Sequence, residues 1–402
     1  MSLLATKSER IHSLDSLRAI MMLLGVVLHS ALTYGVVDYK DGWGMKDPFA
    51  TNATHDFIVH FIHMYRMPLF FLIAGFFGAL LFYERGTKSM IKNRFYRLVL
   101  PFIVFLLVLW PMIVLSFGYT STVFKGDKNV LDVVMAHFSD PFLWIPVNTF
   151  HLWFLYYLIL FTFSAVLIAL LIQKVPVLGR KLSQSFSWFI KMPVLRVLIL
   201  AAISLLIYVS FLTDNIGADI DFIPTLHAYV FHFYFYLVGW MVYKSKHLLN
   251  SFMKLAWVCT ILGLISTTIQ CILHGHVDSG INMIFNSIQV WLFIFGLSGL
   301  FIKYGSKYSA KMKYISDSSY WVYLLHLPLT ALIPGLIVDW PIPAFIKFLI
   351  VTTSTAVICL VSYHYLVRAT FIGKFLNGRK YDRRPVLESD KDLELVQLNN
   401  EK

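Results

Sequence analysis

The residues able to do chemistry begin in an otherwise apolar stretch, residues 10–35, RIHSLDSLRAIMMLLGVVLHSALTYG. Asp15 and Arg18 have the i,i+3 spacing of a helical ion pair. Arg18 and His29 are eleven residues apart, so on a helix they share one face, ~16 Å apart along the axis. A guanidinium suits a phosphate group, and an imidazole suits general-base catalysis near neutral pH. Taken singly, a snorkelling arginine and a core histidine are the plainer interpretations.

A second stripe of polar residues follows in HDFIVHFIHMYRMPLFFLIAGFFGALLF. His60, His63 and Arg66 recur at a spacing of three and line one helix face. Arg66 lies ~13 Å below the outer end of the segment. An arginine at that depth costs ~2.5–3.5 kcal/mol on insertion scales, so it must face a partner or a polar cavity. The alternatives are a kink at Pro68 with a buried ion pair, or a weak metal site at the two histidines, which has no further ligand nearby.

Further candidates lie near the ends of later apolar segments. Arg94 and Arg97 precede the third segment and point the same way on a regular helix, which suits a phosphate. From their spacing alone, ordinary anchoring at the cytoplasmic surface is the better interpretation. His151 stands in FHLWFL and His326 in SSYWVYLLHLPLT, while His232 is surrounded by Phe and Tyr in the sequence.

The elements that must position these residues are membrane-spanning helices. The chain has 402 residues, of which 58% are hydrophobic and 14% charged, whereas a soluble protein carries about 25% charged residues. This composition predicts an all-α polytopic membrane protein with about ten transmembrane helices, each long enough for one hydrocarbon thickness. The predicted segments are 14–36, 57–83, 98–118, 150–173, 194–213, 226–243, 255–274, 282–302, 318–338 and 344–367.

The positive charges separate sharply between the two sides of this map. Of the 34 Lys and Arg residues, 28 fall on the side of the N-terminus, four fall on the opposite side, and Arg66 and Lys347 lie within segments. The positive-inside rule therefore predicts that both termini are cytoplasmic. The net charge of +12 marks a surface facing anionic headgroups, and no nucleic-acid motif accompanies it. We expect a membrane domain at 1–373 and a cytoplasmic polar tail at 374–402.

Five stretches carry a resemblance to a known family. They are LDSLRAIMMLLGVVLH (14–29), RMPLFFLIAGFF (66–77), NRFYRLVLPF (93–102), HLWFL (151–155) and SYWVYLLHLPL (319–329). In this order, along nearly the whole chain, they resemble the membrane-bound acyltransferase family 3. The first and fourth look most like the glucans biosynthesis protein C subgroup, whose members are assigned succinyl transfer to periplasmic glucans.

The resemblance implies roles for particular residues. Arg18 and His29 correspond to the family's essential arginine–histidine pair, and Arg94 and Arg97 to its loop arginine pair. Arg66 matches a recurring position of less settled role, as does His326. The resemblance also implies a cell inner (plasma) membrane location, acyl-CoA (succinyl-CoA or acetyl-CoA) as donor, and an envelope glycan as acceptor. No metal or prosthetic group is expected.

The predicted mechanism joins these roles across the bilayer. The pantetheine arm of acyl-CoA threads inward, while Arg18, Arg94 and Arg97 bind the phosphates of CoA at the cytoplasmic end. His29 serves as general base or forms an acyl-histidine, and Arg66 or His326 stabilises the oxyanion. A secondary transporter or flippase for an envelope-glycan precursor is the competing class, because many spans, buried charges and a proline-broken helix also fit one. A structural partner of a polysaccharide synthase is a third possibility.

Overall fold

The described part of the chain is built from helices. A computed structural model describes residues 12–127, 129–130, 132, 136, 144–273, 277–378 and 380–381, and no strand occurs among them. Helices satisfy their own backbone hydrogen bonds, as the bilayer core requires. The α-helices are α1 (His12–Leu32), α2 (Ala53–Arg85), α3 (Thr87–Arg94), α4 (Leu100–Phe124), α5 (Trp153–Gln173), α6 (Pro176–Ile190), α7 (Pro193–Phe211), α8 (Leu226–Lys244), α9 (Ala256–Ile272), α10 (Ser279–Tyr304), α11 (Ala310–Leu336), α12 (Ala344–Ser362) and α13 (Phe371–Asn377).

Several of these helices are long and apolar enough to cross a membrane, so the chain is a multi-pass membrane protein. Among the described residues they number seven: α1, α2, α3 with α4, α5 with its preceding turn, α7, α10, and α12 with its following turn. An eighth is gained if the 3-10 segment Lys246–Met253 and α9, bent by 65°, form one span. Helices α8 and α11 coincide with two more of the ten predicted segments but are too polar to be counted. The total of ten and the side of the termini therefore stay predictions.

Helix α2 forms the centre of the packing. It continues through Pro68 without a break. Glycines let it approach α8 closely: a Cβ at Gly75 would collide with the backbone oxygen of Tyr236, and one at Gly239 with that of Leu72. Close approach through small residues is the usual way in which membrane helices associate, so this contact is fixed by the two backbones. Helix α1 packs against α2, α10, α11 and α12.

The loop between α1 and α2, residues 33–52, is held by a buried ion pair. Nζ of Lys347 on α12 lies 3.0 Å from Oδ2 of Asp47, and their side chains are 1% and 0% exposed. The same Nζ donates to the backbone oxygen of Val338 at 2.7 Å. At the other end of the loop, the Asp56 carboxylate accepts from the backbone N–H of Val36 at 2.8 Å. We call the side of this loop outer, following the charge distribution.

At the opposite end, the predicted boundary at residue 373 lies inside helix α13. Leu376 on this helix is 2% exposed. Nδ2 of Asn377 donates to the backbone oxygen of Asp317 at 3.2 Å, and the hydroxyl of Tyr381 donates to the Asp317 carboxylate at 3.0 Å. The start of the predicted tail therefore packs onto α11, and residues 382–402 lie outside the described part of the chain.

Candidate active site

A large cavity opens between the outer loops and reaches into the helix bundle. Its volume is about 1140 Å³, and α1, α2, α4, α5, α7, α8, α9, α10 and α11 line it together with the outer loops. Its lining on α1 extends to Met22, one helical turn from Arg18. One turn is a rise of ~6 Å. The cavity thus reaches from the outer mouth almost to the end of α1 that is predicted to be cytoplasmic.

Six histidines line this cavity: His29, His60, His63, His151, His232 and His326. Three of them form a histidine cluster in which the rings of His29 and His326 are 5.2 Å apart and those of His326 and His151 are 5.3 Å apart, between centroids. No three His, Cys, Asp or Glu side chains in the described ranges are arranged to hold a metal ion. The sequence predicted His29 and His326 as site residues, and the fold brings them into contact.

Backbone contacts set the tautomer of two cluster members. Nδ1 of His326 lies 2.7 Å from the backbone oxygen of Tyr323 and 3.1 Å from that of Val322. A carbonyl oxygen only accepts, so Nδ1 carries the proton, and Nε2 of the neutral ring presents a lone pair. This Nε2 is buried and has no partner. In His151 the roles are reversed: Nε2 donates to the backbone oxygen of Leu324 at 3.1 Å, and the buried Nδ1 is unpartnered.

His29 lies between this pair and an aromatic ring from the outer loop. Trp43 stacks on it with centroids 5.3 Å apart and planes at 30°. The indole Nε1 donates to Oγ1 of Thr33 at 3.0 Å, which fixes the ring. Nδ1 of His29 is buried and unpartnered. Trp43 was missed by the sequence reasoning, because only the folding of the loop brings it over α1.

Arg66 faces the cavity. A partner or a polar cavity was predicted for it, and the structure shows the cavity. Arg66 is 7% exposed. It makes no ion pair with any described residue, so the structure does not show the alternative of a buried ion pair at this position. Gly25 on α1 makes room for it: a Cβ there would lie 2.6 Å from Nη2 of Arg66. The buried cation therefore stands in the cavity wall with its Nε unpartnered.

The three arginines predicted to bind phosphate, Arg18, Arg94 and Arg97, lie in two different places. Arg18 pairs with Asp15 at 3.4 Å, as the i,i+3 spacing predicted, and it lies near enough to Arg94 for the two positive charges to repel each other. Arg97 instead donates to the backbone oxygen of Asn377 at the end of α13. The predicted common direction of Arg94 and Arg97 is therefore not seen. Arg97 lies inside a π-helical segment, Phe95–Val99, that begins directly after Arg94, and its i→i+5 bonds widen the turn and change the register of the helix faces. None of the three lines the cavity.

Comparisons with known proteins agree with the resemblance seen in the sequence. A family model described as "Acyltransferase domain" matches residues 11–364. Glucans biosynthesis protein C from Shigella dysenteriae serotype 1 (strain Sd197), from Escherichia coli (strain K12) and from Escherichia coli O157:H7 is each 25% identical over 396 residues, covering 94% of this chain and 98% of the relative. No solved structure matches the chain. Because the family model covers most of its length, the chain belongs to the membrane-bound acyltransferase family 3.

Proposed function

We propose that this acyltransferase is an inner-membrane enzyme that moves an acyl group from cytoplasmic acyl-CoA to a hydroxyl group of a glycan on the outer side. The observation that carries the proposal is the cavity. It opens on the outer side, holds three contacting imidazoles with unpartnered ring nitrogens, and ends one helical turn from Arg18. A transferase working between the two sides of a bilayer needs such a path. The glucan relatives support a glycan as acceptor.

The donor site in this proposal lies at the cytoplasmic ends of α1 and α3. Arg18 and Arg94 interact electrostatically, and two neighbouring guanidinium groups form a site for the phosphates of CoA. Arg97 holds the end of α13 beside them by donating to Asn377, so we assign it to the edge of the same site. The pantetheine arm then enters the bundle along α1 toward Met22 and the floor of the cavity.

Acyl transfer in this site needs a proton acceptor and an oxyanion donor. His29 takes the proton from the acceptor hydroxyl as its oxygen attacks the thioester carbonyl. The C–S bond then breaks, and the proton passes to the departing CoA thiolate. Neutral His326, with its proton on Nδ1, presents a lone pair rather than an N–H at Nε2. It fits a second proton acceptor better than the oxyanion donor predicted from the sequence. Arg66 is the remaining candidate for the oxyanion, since its N–H groups are always available.

The acyl group in this proposal is succinyl, whose far end carries a carboxylate. A buried carboxylate is costly without a cation. Arg66 is a buried cation in the cavity wall with no carboxylate partner in the described structure. It can meet either the succinyl carboxylate or the oxyanion, and the two roles give different donor preferences when the guanidinium is removed.

Mass spectrometry of envelope glycans tests the proposed function in cells. Cells that carry the gene are expected to hold glycans with an added acyl mass, and cells without it to lack that mass. Wild-type protein expressed from a plasmid restores the modification, whereas the His29→Ala variant at equal abundance does not. Identical glycan masses in the presence and absence of the gene would contradict the proposal. Restored acylation by His29→Ala would leave the function standing and refute the assigned base.

A further inference from the structure

A group of amide side chains lies at the outer mouth of the cavity. Gln270 is near the end of α9, and Asn282 and Asn286 are in the first turns of α10. Nε2 of Gln270 donates to Oδ1 of Asn282 at 3.2 Å and to Oδ1 of Asn286 at 2.9 Å. All three residues line the cavity, although Gln270 is only 7% exposed. One buried amide thus fixes the orientation of two others.

His60 extends this group onto α2. Its Nε2 lies 3.3 Å from Oε1 of Gln270, and because that oxygen only accepts, Nε2 donates. On the other side, Nδ2 of Asn286 donates to the backbone oxygen of Asp214 at 2.6 Å. We call His60, Gln270, Asn282 and Asn286 the amide group. His60 begins the α2 stripe that leads through His63 to Arg66, so the amide group and the buried cation belong to one cavity wall.

The amide group retains hydrogen-bonding capacity that faces the cavity. Both N–H bonds of Gln270 are used within the group. Nδ2 of Asn282 makes no hydrogen bond to the described residues, and Asn286 uses one of its two N–H bonds. Amides held in place, offering both donors and acceptors, match the hydroxyls of a sugar, each of which also donates and accepts.

Aromatic and acidic side chains complete the mouth. Phe57 and Tyr39 line it and present apolar ring surfaces, against which the C–H face of a sugar packs. The hydroxyl of Tyr39 donates to the Asp56 carboxylate at 3.1 Å. Burial raises the pKa of this phenol and the neighbouring carboxylate adds to the rise, so the hydroxyl keeps its proton and the ring keeps its position.

We propose that the amide group binds the hydroxyls of the acceptor sugar and so positions the glycan above the histidine cluster. This inference rests on the proposed function and names the place where its acceptor is held. The competing explanation is structural: amides often join membrane helices, and Gln270 does join α9 to α10. The two explanations differ for Nδ2 of Asn282, which donates to no described residue and so takes no part in joining the helices, whereas Oδ1 accepts from Gln270.

Two variants of α10 make the test. Asn282→Ala removes the amide with the spare donors. Gln289→Ala removes a buried amide of the same helix that bonds to Oγ of Ser266 at 2.9 Å and is absent from the cavity lining. The purified variants are compared with wild type in nanodiscs, with succinyl-CoA as donor and a gluco-oligosaccharide as acceptor. Thermal unfolding of each variant is measured in parallel.

Asn282→Ala is expected to raise the KM for the oligosaccharide about 5- to 10-fold, the effect of losing one or two hydrogen bonds, while the KM for succinyl-CoA stays within twofold. Gln289→Ala is expected to lower thermal stability and leave both KM values unchanged. An unchanged oligosaccharide KM in Asn282→Ala overturns the inference, and so does an equal rise in both variants.

Direct binding separates this result from the fate of the proposed function. Calorimetric titration of the oligosaccharide needs no acyl transfer. If wild type consumes no succinyl-CoA, yet binds the oligosaccharide with an affinity that Asn282→Ala lowers 5- to 10-fold, the amide group is a glycan site and the transferase proposal fails. If wild type transfers succinyl and Asn282→Ala binds the oligosaccharide as tightly as wild type does, the function stands and this inference is wrong.

Discussion

At the level of single residues, two polar groups with different chemistry, a guanidinium and an imidazole, lie toward opposite ends of α1. Near the cytoplasm, Arg18 is paired with Asp15 yet 38% exposed in its side chain, so it stays open to a further anion. Three turns away, the His29 ring lies between Trp43 and His326. The first end suits binding and the second suits proton transfer, so substitutions at the two ends must have different consequences.

Substitutions on α1 test this division. His29→Ala is expected to abolish acyl transfer and leave the affinity for CoA within about threefold. Arg18→Ala is expected to weaken CoA binding at least tenfold, because a charge-assisted hydrogen bond to phosphate contributes about 1.5–3 kcal/mol. Arg18→Lys restores binding only in part, since an ammonium lacks the planar fork of donors. Equal loss of CoA binding in His29→Ala and Arg18→Ala would make His29 a structural residue.

In the proposed function, Arg66 decides between succinyl and acetyl as the acyl group. Arg66→Gln keeps a polar side chain but removes the buried cation, so it is expected to depress succinyl transfer at least tenfold more than acetyl transfer. The measurement is competition between succinyl-CoA and acetyl-CoA, scored by product mass. Arg196→Gln is the matched control, because Arg196 is 0% exposed and lies outside the cavity lining; it lowers stability without changing the donor ratio. A wild-type preference for acetyl, or equal losses for both donors in Arg66→Gln, contradicts the assignment.

Much of this site follows from the sequence because helical spacing alone fixes which residues share a face. The three turns between Arg18 and His29, and the stripe from His60 to Arg66, are of this kind. Contacts between elements distant in the chain do not follow from spacing. Trp43 reaches His29 through a folded loop, and Nε2 of His151 donates to the backbone oxygen of Leu324 on α11, which is 173 residues away in the chain.

At the scale of elements, the outer loop depends on one charge pair that bridges it to α12. Lys347 was predicted inside a span, and Asp47 falls in the loop between the first two predicted segments; the structure joins them at 3.0 Å in a buried environment. Asp47 also accepts from the backbone N–H groups of Phe49 and Ala50, both at 2.9 Å. The pair therefore holds the loop that places Trp43 over His29.

Breaking this pair on one side is expected to cost about 3–5 kcal/mol of stability, because it leaves the other charge buried and unpaired. Lys347→Met should lower the thermal unfolding temperature and the rate of acyl transfer together. The double variant Asp47→Asn with Lys347→Met should recover part of the loss, since no buried charge remains.

The control is a pair of similar length at the cytoplasmic side. Nζ of Lys246 lies 3.1 Å from Oε1 of Glu84, with side chains 52% and 30% exposed. Lys246→Met is expected to cost about 0–1 kcal/mol, as exposed pairs do. A Lys347→Met variant as stable as Lys246→Met would show that the buried pair does not hold the loop.

At the scale of the whole molecule, apolar length and charge placement predicted the class of the protein but not its number of spans. Every predicted apolar segment has a helix of its own in the described chain. Two of those helices, α8 and α11, are too polar to be counted as spans by hydropathy. Both are rich in Tyr, Trp and other polar residues, and the histidines that they supply to the cavity, His232 and His326, are among them. Polar residues that line a cavity lower the hydropathy from which spans are predicted, so the number of spans needs an experiment.

Reporter fusions test the predicted topology of ten spans with cytoplasmic termini. A fusion after Lys402 is expected to be active only with a cytoplasmic reporter, and a fusion after Asp127, in a predicted outer loop, only with a periplasmic one. The 28 positive residues assigned to the cytoplasmic side are the physical reason, by the positive-inside rule. Periplasmic activity of the Lys402 fusion would invert the map and, with it, the side from which Arg18 is reached.

In the proposed function, a thioester on one side of the membrane acylates a glycan on the other. Inside-out vesicles loaded with gluco-oligosaccharide test this transfer, with acyl-labelled succinyl-CoA added outside. Labelled oligosaccharide is expected in the lumen, matched by free CoA outside, and neither product is expected with His29→Ala. Oligosaccharide leaving the lumen without consumption of thioester, or label transfer only when succinyl-CoA is enclosed with the glycan, would contradict it.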